Sequence, residues 1–270
     1  MAFLGWGLAM AAEGPVASTA GLEWHRFPDQ TKFEVRGLPW FEANQPRFWR
    51  LPAAGFETLP KGVQNRAKVP SGGRIRLRSD TTRLVLRAAT AGGGLVNRLD
   101  VLVGSELRRA VSATKVGDGT ELVLFEAMPR VERDITVYLP HRQDIVVTAV
   151  GVDPGARFSP VQAVYSRAWP VVYYGSSVCE GNGASGAGLT YPAELGRHLN
   201  LDFVNLGFGG AGKAEPEVVK LVSSQPACAY VFDLGKSYGN QDAAAFRTML
   251  QRVRREHPEV PLLVITPITS

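Results

Sequence analysis

The first half of the chain is predicted to form short β-strands separated by turns. Six segments are rich in β-branched residues, and several alternate apolar with polar positions: 75–79, 83–89, 98–104, 121–127, 134–140 and 144–152. Clusters of Gly, Asp and Pro separate them, and no helical periodicity intervenes. Because short strands at this spacing are typical of an antiparallel sandwich, we expect a jelly-roll-like β-sandwich over residues 21–165, which begins with a packed irregular segment.

A different pattern begins at residue 166. The strand segments there are apolar on both faces, and helical segments lie between them. The predicted strands are at 171–174, 202–208, 229–235 and 261–267, and the predicted helices at 191–200, 215–224 and 242–257. In the last helix Phe246, Met249, Leu250 and Val253 form one apolar stripe. This alternation indicates an α/β domain over residues 166–270, with a parallel sheet covered on both faces.

Composition narrows the range of functions. The 270 residues are 45% hydrophobic and 20% charged, as in globular proteins. No apolar run reaches the length of about 18 residues that indicates a membrane-spanning helix. The net charge of +5 comes from Lys and Arg spread along the chain, and without a basic block or a recognition motif we expect no nucleic-acid partner. The oligomeric state is not indicated.

The N-terminus and the two cysteines bear on location. Residues 1–20 are apolar, and Ala9-Met-Ala11 resembles the end of a secretory signal. A signal-peptide remnant predicts a secreted or periplasmic protein, whereas an unstructured apolar terminus leaves a cytoplasmic location open. Cys179 and Cys228 are expected at opposite ends of parallel strands, too far apart for a disulfide. We expect two free, structural thiols.

Three polar, glycine-rich loops follow the predicted parallel strands, at 175–178, 205–212 and 233–240. The carboxyl ends of parallel strands meet at one edge of an open sheet, where ligands bind. Together the loops offer a hydroxyl group, backbone amides next to glycines and a side-chain amide. Acyl transfer needs this combination, because an attacking oxygen must act beside fixed donors for the developing oxyanion.

The motifs YGSS, NLGFGGAG and the Asp-Leu-Gly…Gly-Asn loop, in this order, resemble the first three blocks of the SGNH (GDSL-type) hydrolases. The subgroup with an N-terminal β-sandwich is the most similar, through WRLP (49–52), GGRIRLRSD (72–80) and LDVLV (99–103). The resemblance implies a flavodoxin-like three-layer α/β/α domain and the cleavage of small acyl or carbohydrate esters.

The resemblance also implies roles for individual residues. Ser177 matches the nucleophile, and Gly210 matches the glycine of the oxyanion hole, with Gly209 as the alternative if the loop is shifted by one residue. Asn240 matches the oxyanion-hole asparagine, but an ungapped comparison from the start of the third loop places Ser237 there instead.

The histidine that accepts the nucleophile's proton is not found in this chain. In the family it belongs to an Asp-x-x-His motif after the last strand, and the sequence contains no such motif. None of its four histidines (His25, His141, His198 and His257) is expected at the carboxyl ends of the parallel strands. Either the sequence is a fragment, which we favour because the oxyanion loops are intact, or it is a non-catalytic relative. We expect weak or no ester hydrolysis from the chain as it stands, which is incomplete relative to the family fold.

Two other functions are compatible with the sequence. Residues 207–212 form a G-x-G-x-x-G between a strand and a helix, which is a local dinucleotide-binding pattern. The sandwich could instead serve a non-catalytic carbohydrate-binding or scaffolding protein. No His/Cys/Asp cluster has metal-ligand spacing, so we expect neither a metal nor an organic cofactor.

Overall fold

The computed structural model describes residues 19–96, 99–235 and 243–266. Among these described residues, eleven strands lie before residue 160, and all of them pair antiparallel. They are β1 (Glu23–Arg26), β2 (Glu34–Arg36), β3 (Arg74–Ser79), β4 (Leu84–Ala89), β5 (Asp100–Val103), β6 (Glu106–Arg109), β7 (Ser112–Val116), β8 (Gly119–Phe125), β9 (Arg133–Tyr138), β10 (Val146–Val152) and β11 (Phe158–Ser159).

These strands form two sheets packed face to face. One has the order β1-β10-β4-β8-β7, and the other has the order β11-β3-β9-β5-β6 with β2 also paired to β3. A single apolar core fills the space between them, and Ile75, Leu86 and Val137 are fully buried in it. The predicted antiparallel sandwich is confirmed.

The second half is the expected α/β domain. Its strands are β12 (Val171–Gly175), β13 (Phe203–Gly207), β14 (Ala229–Asp233) and β15 (Leu262–Val264); its helices are α3 (Ser177–Glu180), α4 (Tyr191–Leu199), α5 (Pro216–Ser223) and α6 (Ala243–Glu256). The strands are parallel in the order β13-β12-β14-β15, which matches the first four strands of a flavodoxin-like sheet. In α6 the predicted apolar stripe packs inward, with Met249 and Val253 buried.

The segment between the first two strands and the rest of the sandwich packs largely on the α/β domain. It contains two short helices, α1 (Phe41–Asn44) and α2 (Lys61–Ala67). Leu51, Phe56 and Val63 from this segment share a core with Val172 and Leu206 of the parallel sheet. The segment thus brings α2 next to the carboxyl ends of β12 and β13.

Two further contacts join the halves. Arg74 donates a hydrogen bond to Asp202 at 2.6 Å and lies over the ring of Phe203. Gly72 approaches Asn205 so closely that a methyl group there would lie 2.7 Å from the asparagine Cβ. Within the part of the chain described here, no helix is long and apolar enough to span a membrane.

Candidate active site

Ser177 lies where the first parallel strand ends. Gly175, the last residue of β12, faces Asp233 of β14, and a methyl group at position 175 would overlap the Asp233 carbonyl oxygen. The Ser176 amide donates to that same oxygen at 2.9 Å. The chain then turns into α3, so that the Ser176 side chain is buried and Ser177 is partly exposed. The tight turn therefore places the second serine at the strand edge.

Ser177 opens into a cavity of about 180 Å³ that also contains Gly209 and Gly210. The rest of the lining comes from Arg66, His141, Arg142, Glu180 and Asn182. Two of the three predicted loops thus meet at one cavity. The two loops lie close together, since a Cβ added to Gly209 would be 3.5 Å from Ser177 Cβ.

Close packing holds the glycine-rich loop against the turn that contains Ser176 and Ser177. The Phe208 amide donates to the Gly175 carbonyl oxygen at 2.8 Å. A methyl group on Gly212 would overlap that same oxygen. Glycine is required at 212 because the two loops touch through their backbones.

Hydrogen bonds separate the amides of this loop into used and unused donors. The Gly207 amide donates to Asn205 Oδ1 at 2.9 Å, and the Gly209 amide donates to Glu180 Oε2 at 2.9 Å. Among the described residues, the amides of Ser177 and Gly210 have no hydrogen-bond partner. The backbone at Gly210 is left-handed, with φ of +74°.

The same hydrogen bonds argue against a dinucleotide site at 207–212. The amides of Gly207, Gly209 and Gly212 all donate within the protein, whereas a phosphate cradle needs such donors free. The buried Glu180 carboxylate would also repel a pyrophosphate. In addition, α5 begins at Pro216 rather than directly after Gly212.

A buried ion pair supports the loop from below. Arg50, in the segment before the sandwich, is fully buried and donates to Glu180 Oε1 at 3.0 Å. It also donates to the carbonyl oxygens of Asn205, at 3.1 Å, and of Gly207. Arg50 belongs to the WRLP motif, but no sequence pattern predicts a role for it or for Glu180.

His141 is closer to the site than its sequence position suggested. The sequence predicts a turn of the sandwich, away from the carboxyl ends of the parallel strands. The turn is correct, but it abuts the cavity of Ser177, and the imidazole is buried there. The other histidines contact other groups: His25 pairs with Lys32 and Glu23, His198 with Glu194, and His257 with Tyr230 and Ser223.

The remaining predicted site residues, Asn240 and its alternative Ser237, lie outside the described residues. The start of their loop is visible: Asp233 is buried and accepts a hydrogen bond from the Tyr191 hydroxyl at 2.9 Å. Burial, together with the neighbouring Cys179 and Asp233, raises the pKa of Tyr191 strongly, so it is a neutral donor.

Both cysteines are free, as expected. Burial, with a smaller contribution from Asp233, raises the pKa of the Cys179 thiol far above its ordinary value. Cys179 is fully buried two residues from Ser177, and it is not an activated nucleophile because the thiolate is disfavoured.

A larger groove of about 490 Å³ lies at the opposite end of the parallel sheet, lined in part by Pro170 and Asp202 at the amino ends of β12 and β13. Three of the charged side chains that line it pair with one another, since Arg36 contacts both Glu34 and Asp202. Within the described ranges, no group of three or more His, Cys, Asp and Glu side chains is placed to hold a metal ion.

Comparisons with known proteins show similarity at the level of family and fold. Residues 168–270 match the model of the GDSL-like Lipase/Acylhydrolase family. No curated protein sequence matches the chain.

Among solved structures, a putative GDSL-like lipase from Bacteroides ovatus superposes with a TM-score of 0.76 at 23% identity, over 90% of this chain and 73% of that one. The salicylyl-acyltransferase SsfX3 from a tetracycline biosynthetic pathway superposes with a TM-score of 0.74 at 25% identity, over 90% of this chain and 72% of that one. An acetyl xylan esterase, Est2A, from the rumen bacterium Butyrivibrio proteoclasticus superposes with a TM-score of 0.58 at 14% identity, over 91% of this chain and 82% of that one.

Proposed function

We propose, from the membership of residues 168–270 in the GDSL-like lipase/acylhydrolase family, that this enzyme cleaves small acyl esters through Ser177. The observation that carries the proposal is the cavity in which Ser177 and the Gly209–Gly210 loop meet. A cavity of about 180 Å³ is smaller than the sites that hold drug-sized ligands, and it suits a short acyl group.

In the proposed reaction the Ser177 hydroxyl oxygen attacks the ester carbonyl carbon, and a base takes the hydroxyl proton. The carbonyl oxygen becomes an oxyanion, which accepts hydrogen bonds from the amides of Ser177 and Gly210, neither of which has a partner among the described residues. The alcohol leaves with a proton, and water releases the acyl group from Ser177. Asn240 supplies a further donor in this proposal, as it does in the family resemblance.

Gly210, rather than Gly209, is the oxyanion donor in this proposal. The Gly209 amide is already bonded to Glu180 Oε2 at 2.9 Å, and a substrate oxygen would have to displace a buried carboxylate. The alternative assignment, which shifts the loop by one residue, therefore requires a rearrangement that the Gly210 assignment does not.

The proposed substrates are acyl esters of carbohydrates or other small alcohols. The acetyl xylan esterase and the salicylyl-acyltransferase among the similar structures act on acyl groups according to their descriptions. We propose that the 270-residue chain by itself turns over such esters weakly or not at all, because it contains no Asp-x-x-His.

Chemical rescue tests the proposal despite the missing motif. The chain is incubated with a fluorophosphonate probe, with and without imidazole as an external base, and the labelled peptides are identified by mass spectrometry. We expect labelling at Ser177 that increases with imidazole and is lost in Ser177→Ala. Ser185→Ala, in the exposed loop after α3, is the matched control. In this variant Ser177 should be labelled as strongly as in the unmodified chain.

The same experiment addresses the non-catalytic alternative. A carbohydrate-binding or scaffolding relative needs no activated serine, so Ser177 would label no faster than other exposed serines with or without imidazole. That outcome would exclude the hydrolase mechanism proposed above.

A further inference from the structure

The cavity of Ser177 has an excess of positive charge. Its lining contains two arginines, Arg66 and Arg142, and one carboxylate, Glu180. That carboxylate is paired more closely with the buried Arg50, at 3.0 Å, than with Arg66, whose Nε lies 3.8 Å away. The cavity therefore presents more guanidinium charge than its own carboxylate neutralises.

Arg66 is positioned beside the reacting groups. Its guanidinium carbon lies 3.6 Å from the point where a Cβ on Gly209 would be, and Ser177 Cβ lies 3.5 Å from the same point. The side chain is half exposed. A guanidinium in this position can donate to a ligand next to the serine without leaving Glu180 unpaired, because Arg50 and the Gly209 amide still hold that carboxylate.

Arg142 borders the cavity from the sandwich side. It donates to the side-chain oxygen of Asn182 at 2.7 Å, and this neutral partner leaves its charge uncompensated. Among the described residues no carboxylate lies within 4.0 Å of Arg142. His141 lies next to it and contributes no negative charge, so each wall that faces the serine is neutral or cationic except at Glu180.

We propose that this cavity selects substrates carrying a carboxylate close to the scissile ester, with Arg66 and Arg142 as its ligands. Guanidinium groups bind carboxylates through charge-assisted, often bidentate hydrogen bonds. Both arginines come from outside the family domain at 168–270, one from α2 and one from the β9–β10 turn. The N-terminal half thus sets the specificity of chemistry performed by the C-terminal half.

The carboxylate can belong to either half of the ester. In a half-ester of a dicarboxylic acid it is the end of the acyl chain. In a uronic acid that is acylated on a hydroxyl group, it is part of the alcohol. This inference rests on the proposed function, because it places the carboxylate next to an ester that Ser177 attacks.

Binding to the intact 270-residue chain tests the inference without requiring turnover. Calorimetric titration compares two charged ligands with their neutral counterparts: monomethyl succinate with methyl butyrate, and methyl glucuronoside with methyl glucoside. We expect the charged member of at least one pair to bind and its neutral counterpart to bind about tenfold or more weakly, since hydrogen bonds to charged groups are the stronger ones. Binding of the succinate ester assigns the carboxylate to the acyl half, and binding of the glucuronoside assigns it to the alcohol half.

Variants separate a built subsite from general attraction to a basic protein. Arg66→Gln and Arg142→Gln should each weaken the charged ligand about tenfold. Arg26→Gln removes the same charge from exposed strand β1 and should change binding less than about twofold. Equal binding of charged and neutral ligands, no binding of either charged ligand, or an equal loss in Arg26→Gln would overturn the inference.

The outcome is distinguishable from failure of the proposed function. Labelling of Ser177 by the fluorophosphonate without charge selectivity would sustain the hydrolase and remove the carboxylate subsite. Arginine-dependent carboxylate binding without any labelling of Ser177 would sustain the subsite and remove the hydrolase.

Discussion

The carboxylate of Glu180 accepts a hydrogen bond from the Gly209 amide at 2.9 Å. This bond joins the short helix that begins with Ser177 to the glycine-rich loop after β13. The bond occupies the Gly209 amide, whereas the amide of Gly210, which also lines the cavity, has no hydrogen-bond partner among the described residues. The geometry of this glycine-rich loop therefore depends on a side chain three residues after the serine.

Substitution of the two adjacent glycines should give different results. In Gly209→Ala the new methyl group would lie 2.5 Å from Glu180 Oε2, so the carboxylate must move and the loop with it. We expect imidazole-dependent labelling of Ser177 to fall by about tenfold or more, in line with the loss of a fixed oxyanion donor.

Gly210→Ala is the matched comparison. Nothing lies within 4 Å of the added methyl group, and its cost is the left-handed backbone, about 1–2 kcal/mol. Urea unfolding should therefore show a loss of stability of about this size, whereas imidazole-dependent labelling of Ser177 should fall less than it does in Gly209→Ala. If Gly209→Ala labels as fast as the unmodified chain, the Glu180 contact does not hold the loop in place.

The architecture was predictable because each half has its own local pattern. Strand β12 is apolar at each position before Gly175 and buried on both faces, as continuous apolar segments of parallel sheets are. The turn at Gly175 and the close approach at Gly212 follow from the same reasoning, since glycines cluster where two backbones meet. The juxtaposition of Ser177 with the 209–210 loop followed from sheet topology alone.

The charged lining of the site was not predictable in this way. Arg50 and Glu180 are 130 residues apart in sequence, and each looks like an ordinary surface charge until the fold brings them together. His141 was assigned to a sandwich turn, but the position of that turn depends on how the two halves pack. Sequence periodicity places residues within an element and carries no information about contacts between domains.

Arg50 should contribute more to stability than any exposed arginine of this chain. Arg50→Met would leave the Glu180 carboxylate buried with a weaker partner and remove donors from the carbonyl oxygens of Asn205 and Gly207. Removing one member of a buried ion pair costs about 3–5 kcal/mol, which urea unfolding at neutral pH would detect.

Arg47→Met provides the control for that measurement. Arg47 is exposed and lies over the ring of Trp49, a contact worth about 0.5–1 kcal/mol at such sites. Arg50→Lys should not restore stability, because an ammonium group cannot replace the planar fork of a guanidinium. Equal losses in the Arg50 and Arg47 variants would show that the buried network adds nothing.

The two thiols should differ in reactivity. Burial raises the pKa of both Cys179 and Cys228, but Cys179 is fully buried and Cys228 is partly exposed. A raised pKa keeps each thiol protonated at pH 8, and the thiolate is the reactive form. With iodoacetamide at pH 8 and peptide mass spectrometry, we expect slow labelling of Cys228, no labelling of Cys179 in the folded protein, and labelling of both in urea. Faster modification of Cys179 than of Cys228 would contradict its burial behind Ser177.

Asp153 should make the sandwich more stable at neutral than at acidic pH. Burial raises the pKa of its carboxyl group, but hydrogen bonds from Thr82 and Thr81 outweigh this and lower the pKa below the ordinary value of 3.8. A carboxyl group whose pKa is lower in the folded state stabilises the fold above its unfolded pKa, and this contribution is lost as the pH falls through the folded value. Asp153→Asn replaces the ionised carboxylate that accepts from the Thr82 amide at 2.5 Å with a neutral side-chain amide, and should therefore cost about 1–2 kcal/mol at pH 7. The difference from the unmodified chain should shrink by pH 3 in urea unfolding, whereas Asp118→Asn, in an exposed turn, should leave stability nearly unchanged at both pH values. A difference for Asp153→Asn that is as large at pH 3 as at pH 7 would contradict this prediction. It would show that the protonated carboxyl group of Asp153 stabilises the turn at 81–83 as well as the ionised one does.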